Sequence, residues 1–419
     1  MPDELRIMIA AGGTGGHVFP AIAIADAIRD EFPKARFLFV GTRDRMEWKA
    51  VPAAGYDISP IWISGLHRRI TLKNLLFPLK LIVSLWQSYR LMRKFQPDVL
   101  VSCGGFVAGP AGWVASWLSV PLFLQEQNSY PGMTNRKLAG RAERIFTAFE
   151  NANQWFPNEK TVCVGNPVRK NLVSSSSDPV FVKQSAEHFG LDTNRPVLLV
   201  MGGSGGAKSI NEAMLRHLRS LHDTDRVQII WQCGNTYLED VTSGLTDTGK
   251  TDTVRDRFPD LRLYGFMENI TEAWAIADLV VSRAGATTCA ELLATGKAGI
   301  LVPSPWVAGD HQTQNAIALA QKGAAVLLKD EELAEKMLDV IRALFKDTSR
   351  RRKIEREARN MAKANAALVI ARDILSHMQK NEMAFSWTGR TAGFISRPTW
   401  RLHDHETAES QNHGVFWSI

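Results

Sequence analysis

Two glycine clusters, each set between a short apolar run and a helical pattern, lie about 190 residues apart and constrain the fold more than any other feature. The first is Ala10-Ala11-Gly12-Gly13-Thr14-Gly15-Gly16-His17, after the run Leu5 to Ala10. The second is Met201-Gly202-Gly203-Ser204-Gly205-Gly206-Ala207, after Val197 to Val200. Glycine at a strand-to-helix turn allows positive φ and a close approach of backbone to ligand. The helix that follows offers free N–H groups and its positive dipole end to an anion. Two such loops at matching points of two α/β patterns predict two nucleotide-type half-domains facing a shared cleft. Neither loop ends in the Gly-Lys-Ser/Thr of a Walker A. Neither is a good dinucleotide fingerprint, because Gly13-x-Gly15 lacks a third glycine and no ribose-binding acid follows ~20 residues on.

Apolar runs alternate with helical patterns over the first 165 residues, at Leu5–Ala10, Phe37–Val40, Ile58–Ile63, Val99–Ser102, Leu122–Gln125, Ile145–Ala148 and Thr161–Val164. This βαβ repetition predicts an α/β fold with a mostly parallel sheet and helices on both faces. Gly165 to Pro179, with Ser174 to Ser177, reads as a turn-rich linker. The pattern restarts at Val197–Met201 and continues through Val227–Gln232, Leu261–Tyr264, Leu279–Ser282, Gly299–Val302 and Ala325–Leu328. Glu331 to Gln379 reads as one continuous helix whose last part crosses back onto the first domain. The expected organisation is a domain over 1–165 with a returning helix at about 363–378, a second over 166–362, and an atypical tail over 380–419. The tail carries Trp387, Trp400 and Trp417 without a period and is expected to be a poorly ordered extension.

A chain of 419 residues is long enough for two ordinary domains. Its 45% hydrophobic and 22% charged residues suit a soluble globular protein. The net charge of +7 points to an anionic partner, such as an acidic membrane surface or a phosphorylated substrate. No nucleic-acid-reading module is present, so nucleic acid is not expected as a partner. Cys103, Cys163, Cys233 and Cys289 are far apart and read as reduced cytosolic thiols. Met1-Pro2-Asp3-Glu4 lacks the features of a signal peptide, and no stretch of ~20 apolar residues predicts a membrane span.

The motifs then carry a family resemblance. Gly12 to Ala21 (GGTGGHVFPA) closely resembles the signature opening of the MurG family of N-acetylglucosaminyltransferases. Further matches follow in order: Gly104 to Pro110, Glu126-Gln127-Asn128, Gly165 to Arg169, Gly202 to Ala207, Ser282 to Thr288 with Glu291, and Asp310-His311-Gln312 with Asn315. The resemblance covers about residues 5 to 378. It implies two Rossmann-like, doubly wound domains facing a cleft, the family B glycosyltransferase (GT-B) fold. It also implies an inverting hexosyltransferase that moves GlcNAc from UDP-GlcNAc to the C4 hydroxyl of MurNAc in lipid I, giving lipid II in peptidoglycan synthesis. The implied location is peripheral, on the cytoplasmic face of the bacterial inner membrane, and partners could extend to a cell-wall synthesis complex. A glycolipid synthase and a UDP-GlcNAc epimerase of the same fold are the alternative readings.

Such a transfer needs a base, a clamp for the leaving UDP and relief of its developing charge. His17 begins a helix, where the dipole favours the neutral imidazole that a general base requires. Helix capping or loop packing is its other reading, and the resemblance favours the site. Backbone N–H groups at the glycine loops, including Thr14, Gly15 and Gly16, with Ser204 and Arg169, would hold the pyrophosphate. A linker-fixing salt bridge is the alternative for Arg169. Taken alone, Glu291 reads as an N-terminal helix charge; by resemblance it accepts from the ribose hydroxyls, and Ala286, Thr287, Thr288, Cys289 and Ala290 line the nucleotide pocket. Met267 then lies against the uracil, while Asn128 and Gln312 recognise the sugar. Two departures stand out: Gln125 occupies the place of a family histidine and cannot act as a base, and Pro303 to Asp310 differs in length from some members. No cofactor or protein-held metal is expected, although a divalent ion could assist UDP departure. Asp223-Thr224-Asp225 reads as a solvated turn rather than a DxD metal motif, and His403-Asp404-His405 falls in the tail.

Leu72 to Lys94 remains open between two readings. Leu75, Leu79, Ile82, Trp86 and Tyr89 follow helical spacing, flanked by Arg68, Arg69, Lys73, Lys80, Arg90, Arg93 and Lys94. An apolar stripe is most often core. With this basic surround it also suits docking on an anionic leaflet.

Overall fold

Strands rich in Val, Ile, Leu and Phe assemble into two parallel sheets in the computed structural model, which describes residues 4–65, 76–246, 253–307 and 310–388. The first sheet holds β1 (Leu5–Ala11), β2 (Ala35–Gly41), β3 (Asp57–Pro60), β4 (Val99–Gly104), β5 (Leu122–Glu126), β6 (Arg144–Thr147) and β7 (Thr161–Cys163). The second holds β8 (Val197–Met201), β9 (Gln228–Gln232), β10 (Leu261–Tyr264), β11 (Leu279–Arg283), β12 (Ala298–Val302) and β13 (Val326–Leu327). Their orders, β3-β2-β1-β4-β5-β6-β7 and β10-β9-β8-β11-β12-β13, match over six positions, and β7 extends the first sheet by one strand. Ile9 of β1 lies between Phe39 of β2 and Val101 of β4, with parallel pairing on both sides.

β4, β5, β8, β9 and β12 are buried along their whole length. That burial explains their unbroken apolar sequence, since helices cover both faces of each sheet. In the second lobe, Leu198 and Val200 enter one core while Leu199 and Met201 enter the core on the opposite face. In both sheets the strand order reverses, between β1 and β4 and between β8 and β11. A crevice opens beyond the carboxyl ends of the strands at such a switch point. Both glycine loops follow these reversing strands, β1 and β8.

The expected linker proves helical. Lys170–Ser177 and Pro179–Phe189 are helices, the first anchored by fully buried Leu172 and the second capped by Asp178, which accepts from the Val180 N–H at 2.9 Å. Serine composition misleads here because the hydroxyls bond back into the helix: Ser176 and Ser177 both donate to the carbonyl of Val173.

The expected continuous helix over 331–379 is broken into Leu333–Lys346, Thr348–Met361 and Ala366–Thr388. Asp347 starts the middle helix by accepting from the Arg350 N–H at 2.8 Å. Residues 362–365 form the return crossing, where Lys363 Nζ donates to the Cys163 carbonyl at 2.8 Å. Arg372 then pairs with Glu31 at 3.1 Å and Asp373 with Arg144 at 3.4 Å, both on the first lobe. The chain up to Leu375 forms one compact unit, and the part from Ser376 forms another. The last helix runs to Thr388, past residue 380 where the sequence loses its period. The rest of the tail, with Trp400, Trp417 and the His403-Asp404-His405 run, lies outside the described residues, as do Arg68, Arg69, Lys73 and Leu75.

Candidate functional site

The first glycine loop is shaped by what presses against it. A Cβ on Gly12 would come within 2.7 Å of Glu47 Oε1, and one on Gly13, at φ +93°, within 3.1 Å of the Phe106 ring. Glu47 is fully buried, accepting from Gly13 N–H (3.1 Å), Thr42 N–H (3.1 Å) and the Thr42 hydroxyl (2.8 Å). Gly105, at φ +81°, leaves no room for a Cβ, which would lie 2.2 Å from the Gly12 carbonyl oxygen. The loops after β1 and β4 therefore interlock. In the second lobe Gly206 packs on the turn after β9, and Ser204 is exposed at the loop tip.

Thr14 caps the helix Gly15–Glu31, its carbonyl receiving the His17 N–H at 3.1 Å. The Thr14 hydroxyl lies 3.2 Å from His17 Nδ1, so the imidazole is held by its own loop. Burial, and then the charge of His311 from the second lobe, pull the His17 pKa down from 6.5 to about 4, against a raising hydrogen bond to Gly12. The ring is therefore neutral at pH 7, as the sequence leads one to expect, with burial as the main cause.

Arg169 stands at the crossing between the lobes. Its guanidinium carbon lies 4.6 Å over the Phe19 ring of the first lobe, and Nη2 is 3.8 Å from Glu291 Oε1 of the second. Its Nε is buried without a hydrogen-bond partner. Glu291 is buried, and that burial raises its carboxyl pKa while Arg169 opposes the rise. The helix Ala286–Thr295 begins at Gly285 beyond β11, so its first N–H groups have no acceptor within the helix. Thr287 Oγ1 is buried there without a partner, and Thr288 and Ala290 are half-buried. Ala286 and Cys289 are buried, and the Cys289 thiol is pushed up to about 12. Met267 is only 3% exposed and packs in the same core cluster as Cys289.

Asn128 lies on the loop after β5, which is organised around buried Glu126. That carboxylate accepts from Asn128 N–H (3.0 Å), Asn128 Nδ2 (3.3 Å), Gly132 N–H (3.1 Å) and Asn135 Nδ2 (2.9 Å). Burial pushes its pKa up and these donors hold it down. Gln125 is fully buried and donates to Asn166 Oδ1 at 3.0 Å, a structural use consistent with its lack of basicity. Gln312 Oε1 accepts from Ser304 N–H at 2.8 Å. Sequence alone does not single out Glu47, Phe106 or Phe19 as site residues, because the partners that matter, Gly13 for the first two and Arg169 for Phe19, are distant in the chain.

The Asp223-Thr224-Asp225 motif is used internally: Asp225 pairs with Arg342 at 2.9 Å and Asp223 with His222 at 2.7 Å. No group of three or more His, Cys, Asp or Glu is arranged to hold a metal among the described residues. The helix Phe77–Phe95 carries apolar residues on both faces, with Phe77, Leu85, Leu91 and Phe95 partly buried against the first lobe's core. Ser84, Ser88 and Met92 are buried, while Leu79, Ile82, Trp86 and Tyr89 are exposed beside Leu76 and Trp62. Arg90 stacks on Trp86 at 4.9 Å, and Lys80 lies 5.6 Å over Trp62. No helix among the described residues is long and apolar enough to cross a membrane.

Comparison with known proteins gives a consistent neighbourhood. Residues 7–147 match the glycosyltransferase family 28 N-terminal domain, and residues 197–374 match the C-terminal domain of the same family. The UDP-N-acetylglucosamine--N-acetylmuramyl-(pentapeptide) pyrophosphoryl-undecaprenol N-acetylglucosamine transferase of Salinibacter ruber is 44% identical over 372 residues, 88% of this chain and 96% of that protein. Its counterpart of the same name from Flavobacterium psychrophilum is 39% identical over 380 residues, 91% of this chain and all of the relative. The crystal structure of Acinetobacter baumannii MurG superposes with a TM-score of 0.66 at 28% identity, covering 89% of this chain and 99% of that one.

Proposed function

The chain belongs to glycosyltransferase family 28, among the UDP-N-acetylglucosamine--N-acetylmuramyl-(pentapeptide) pyrophosphoryl-undecaprenol N-acetylglucosamine transferases, and from that premise we propose how its cleft works. It is a GT-B enzyme that transfers GlcNAc from UDP-GlcNAc to the MurNAc C4 hydroxyl of lipid I, giving lipid II. The epimerase and glycolipid synthase readings give way to these relatives.

His17 takes the proton of the acceptor hydroxyl, whose oxygen attacks the anomeric carbon of GlcNAc. The bond from that carbon to the β-phosphate oxygen breaks, and its electron pair leaves with UDP. The departing charge is met by N–H groups at the glycine-loop helices and the start of Ala286–Thr295, with Arg169 and Ser204. Glu291 receives the ribose hydroxyls, and Asn128 and Gln312 hold the sugar. Thr14, Gly15 and Gly16 offer backbone N–H groups to the pyrophosphate of UDP-GlcNAc. No resident cofactor enters this reading. What carries it is one observation: Arg169 bridges Phe19, two residues after His17, and Glu291 on the helix of the proposed nucleotide pocket. Base and nucleotide lobe thus meet at one cleft.

The exposed apolar face of Phe77–Phe95, edged by Arg90, Arg93 and Lys94, supports docking on an anionic cytoplasmic leaflet, where a polyprenyl-linked acceptor resides. The deciding experiment supplies labelled UDP-GlcNAc and a lipid I analogue and weighs the product. A mass gain of one GlcNAc on the acceptor is expected. Hydrolysed or epimerised UDP-sugar with an unmodified acceptor would overturn the reading.

A further inference from the structure

Asn315 has no exposed surface and lies early in the helix His311–Gln321 of the second lobe. Its Oδ1 accepts from both the backbone N–H and the hydroxyl of Ser129, each at 3.0 Å. Its Nδ2 donates to the Ala284 carbonyl at 3.2 Å and to Asn128 Oδ1 at 3.4 Å. Asn128 and Ser129 follow β5 in the first lobe, whereas Ala284 follows β11 in the second. One carboxamide thus uses its full hydrogen-bonding capacity across the cleft.

The same bonds decide which way the Asn128 side chain points. Its Nδ2 donates to Glu126 Oε1 at 3.3 Å, and its Oδ1 receives Asn315. A flipped Asn128 would set its oxygen against a carboxylate and its NH2 against another NH2, so one orientation is selected. Only Asn meets the demands at 315. Asp would face the Ala284 and Asn128 oxygens with no donor, and Gln would carry an extra methylene that shifts its carboxamide off the four partners that Asn315 meets. Ala would leave buried donors and acceptors unpaired.

We propose that Asn315 is a positioning residue that couples closure of the two lobes to the orientation of the Asn128 carboxamide at the sugar. It acts through Asn128 and touches neither reactant. The inference rests on the placement of Asn128 at GlcNAc given above.

The test uses the full chain with Asn315→Ala, Asn315→Asp and Ser129→Ala. UDP affinity by calorimetry should stay within about twofold of the parent, because neither Asn315 nor Ser129 is itself a proposed nucleotide contact and the only link, from Asn315 to the Ala284 carbonyl, stops short of the helix that begins at Ala286. The kcat with UDP-GlcNAc and a lipid I analogue should fall about tenfold or more for both Asn315 variants, and less for Ser129→Ala, which keeps the backbone bond. The kcat/KM preference for UDP-GlcNAc over UDP-glucose should shrink in the same order. Small-angle scattering with UDP-GlcNAc bound should show a larger radius of gyration. Folded variants with parental selectivity and parental scattering would overturn the proposal, as would a loss confined to UDP affinity. If Asn315→Ala fails to fold, Asn315→Asp and Ser129→Ala decide by the same measurements. A parent chain that transfers no GlcNAc would sink the functional reading, while the scattering comparison still judges the clasp.

Discussion

Replacing Leu79, Ile82 and Trp86 together by Ser should leave the fold standing and remove the protein from membranes. These side chains are 51%, 65% and 56% exposed. Burying a large apolar side chain completely is worth about 1.5–3 kcal/mol, so the half to two-thirds left in water can contribute ~1–1.5 kcal/mol each on entering a bilayer surface. The three together amount to ~3–4 kcal/mol, or about 10²–10³-fold in partitioning. In the folded state away from lipid the same substitutions act on surface positions, each expected within about 0.5 kcal/mol. Were the stripe core, each would instead cost ~2–5 kcal/mol, enough in sum to exhaust a typical stability of about 5–15 kcal/mol. Sedimentation with phosphatidylglycerol vesicles and a melting curve separate the two cases. Vesicle binding should collapse, weaken with salt in the parent protein, and leave the midpoint almost unmoved. A triple variant that unfolds, or that binds vesicles as the parent does, would refute the reasoning.

His17→Ala should lower kcat by ~10²-fold or more with UDP affinity kept, which turnover assays and calorimetry can check; near-parental turnover would make His17 a packing residue. Because its folded pKa of about 4 lies below the unfolded 6.5, the unfolded state binds more protons between those values. Stability should therefore fall on acidification through that window, by up to ~3 kcal/mol relative to His17→Asn, in urea titrations at stepped pH. Glu291→Ala should weaken UDP about tenfold if Glu291 meets the ribose, and unchanged calorimetric affinity would remove it from the site. Gly105→Ala should lower the urea midpoint by the equivalent of ~2 kcal/mol or more, since a Cβ would strike the Gly12 carbonyl at a positive φ. An unshifted midpoint would mean the loops after β1 and β4 are not interlocked.

Both α/β lobes, with glycine turns at the ends of β1 and β8, are legible from sequence alone. Buried parallel strands need unbroken apolar runs, and tight turns need glycine, so neighbours along the chain carry that information. The ordered motifs likewise name His17, Arg169 and Glu291 as candidates, and the structure brings Arg169 within 3.8 Å of Glu291. Local reading fails where a residue's partner is remote. Serine content makes Ser174–Ser177 look like a linker, yet Leu172 reaches a core and draws the segment into helix. Asp347 and the 362–365 crossing break a pattern that helical propensity alone would continue.

The stripe in Phe77–Phe95 shows the limit most plainly. Its period establishes a two-faced helix, but which face turns inward depends on neighbours elsewhere in the fold. Here Ser84 and Ser88 are buried while Leu79, Ile82, Trp86 and Tyr89 remain outside. Glu47 beneath Gly13 and Asn315 across from Ser129 belong to the same class. They are separated by 34 and 186 residues from the groups they hold, and no local pattern announces them. Sequence by itself determined the buried parallel strands and the glycine turns after β1 and β8, because local sterics and burial patterning operate over a few residues. The tertiary structure alone decided which faces are buried and which distant polar groups meet, because those outcomes follow from pairing across the whole fold.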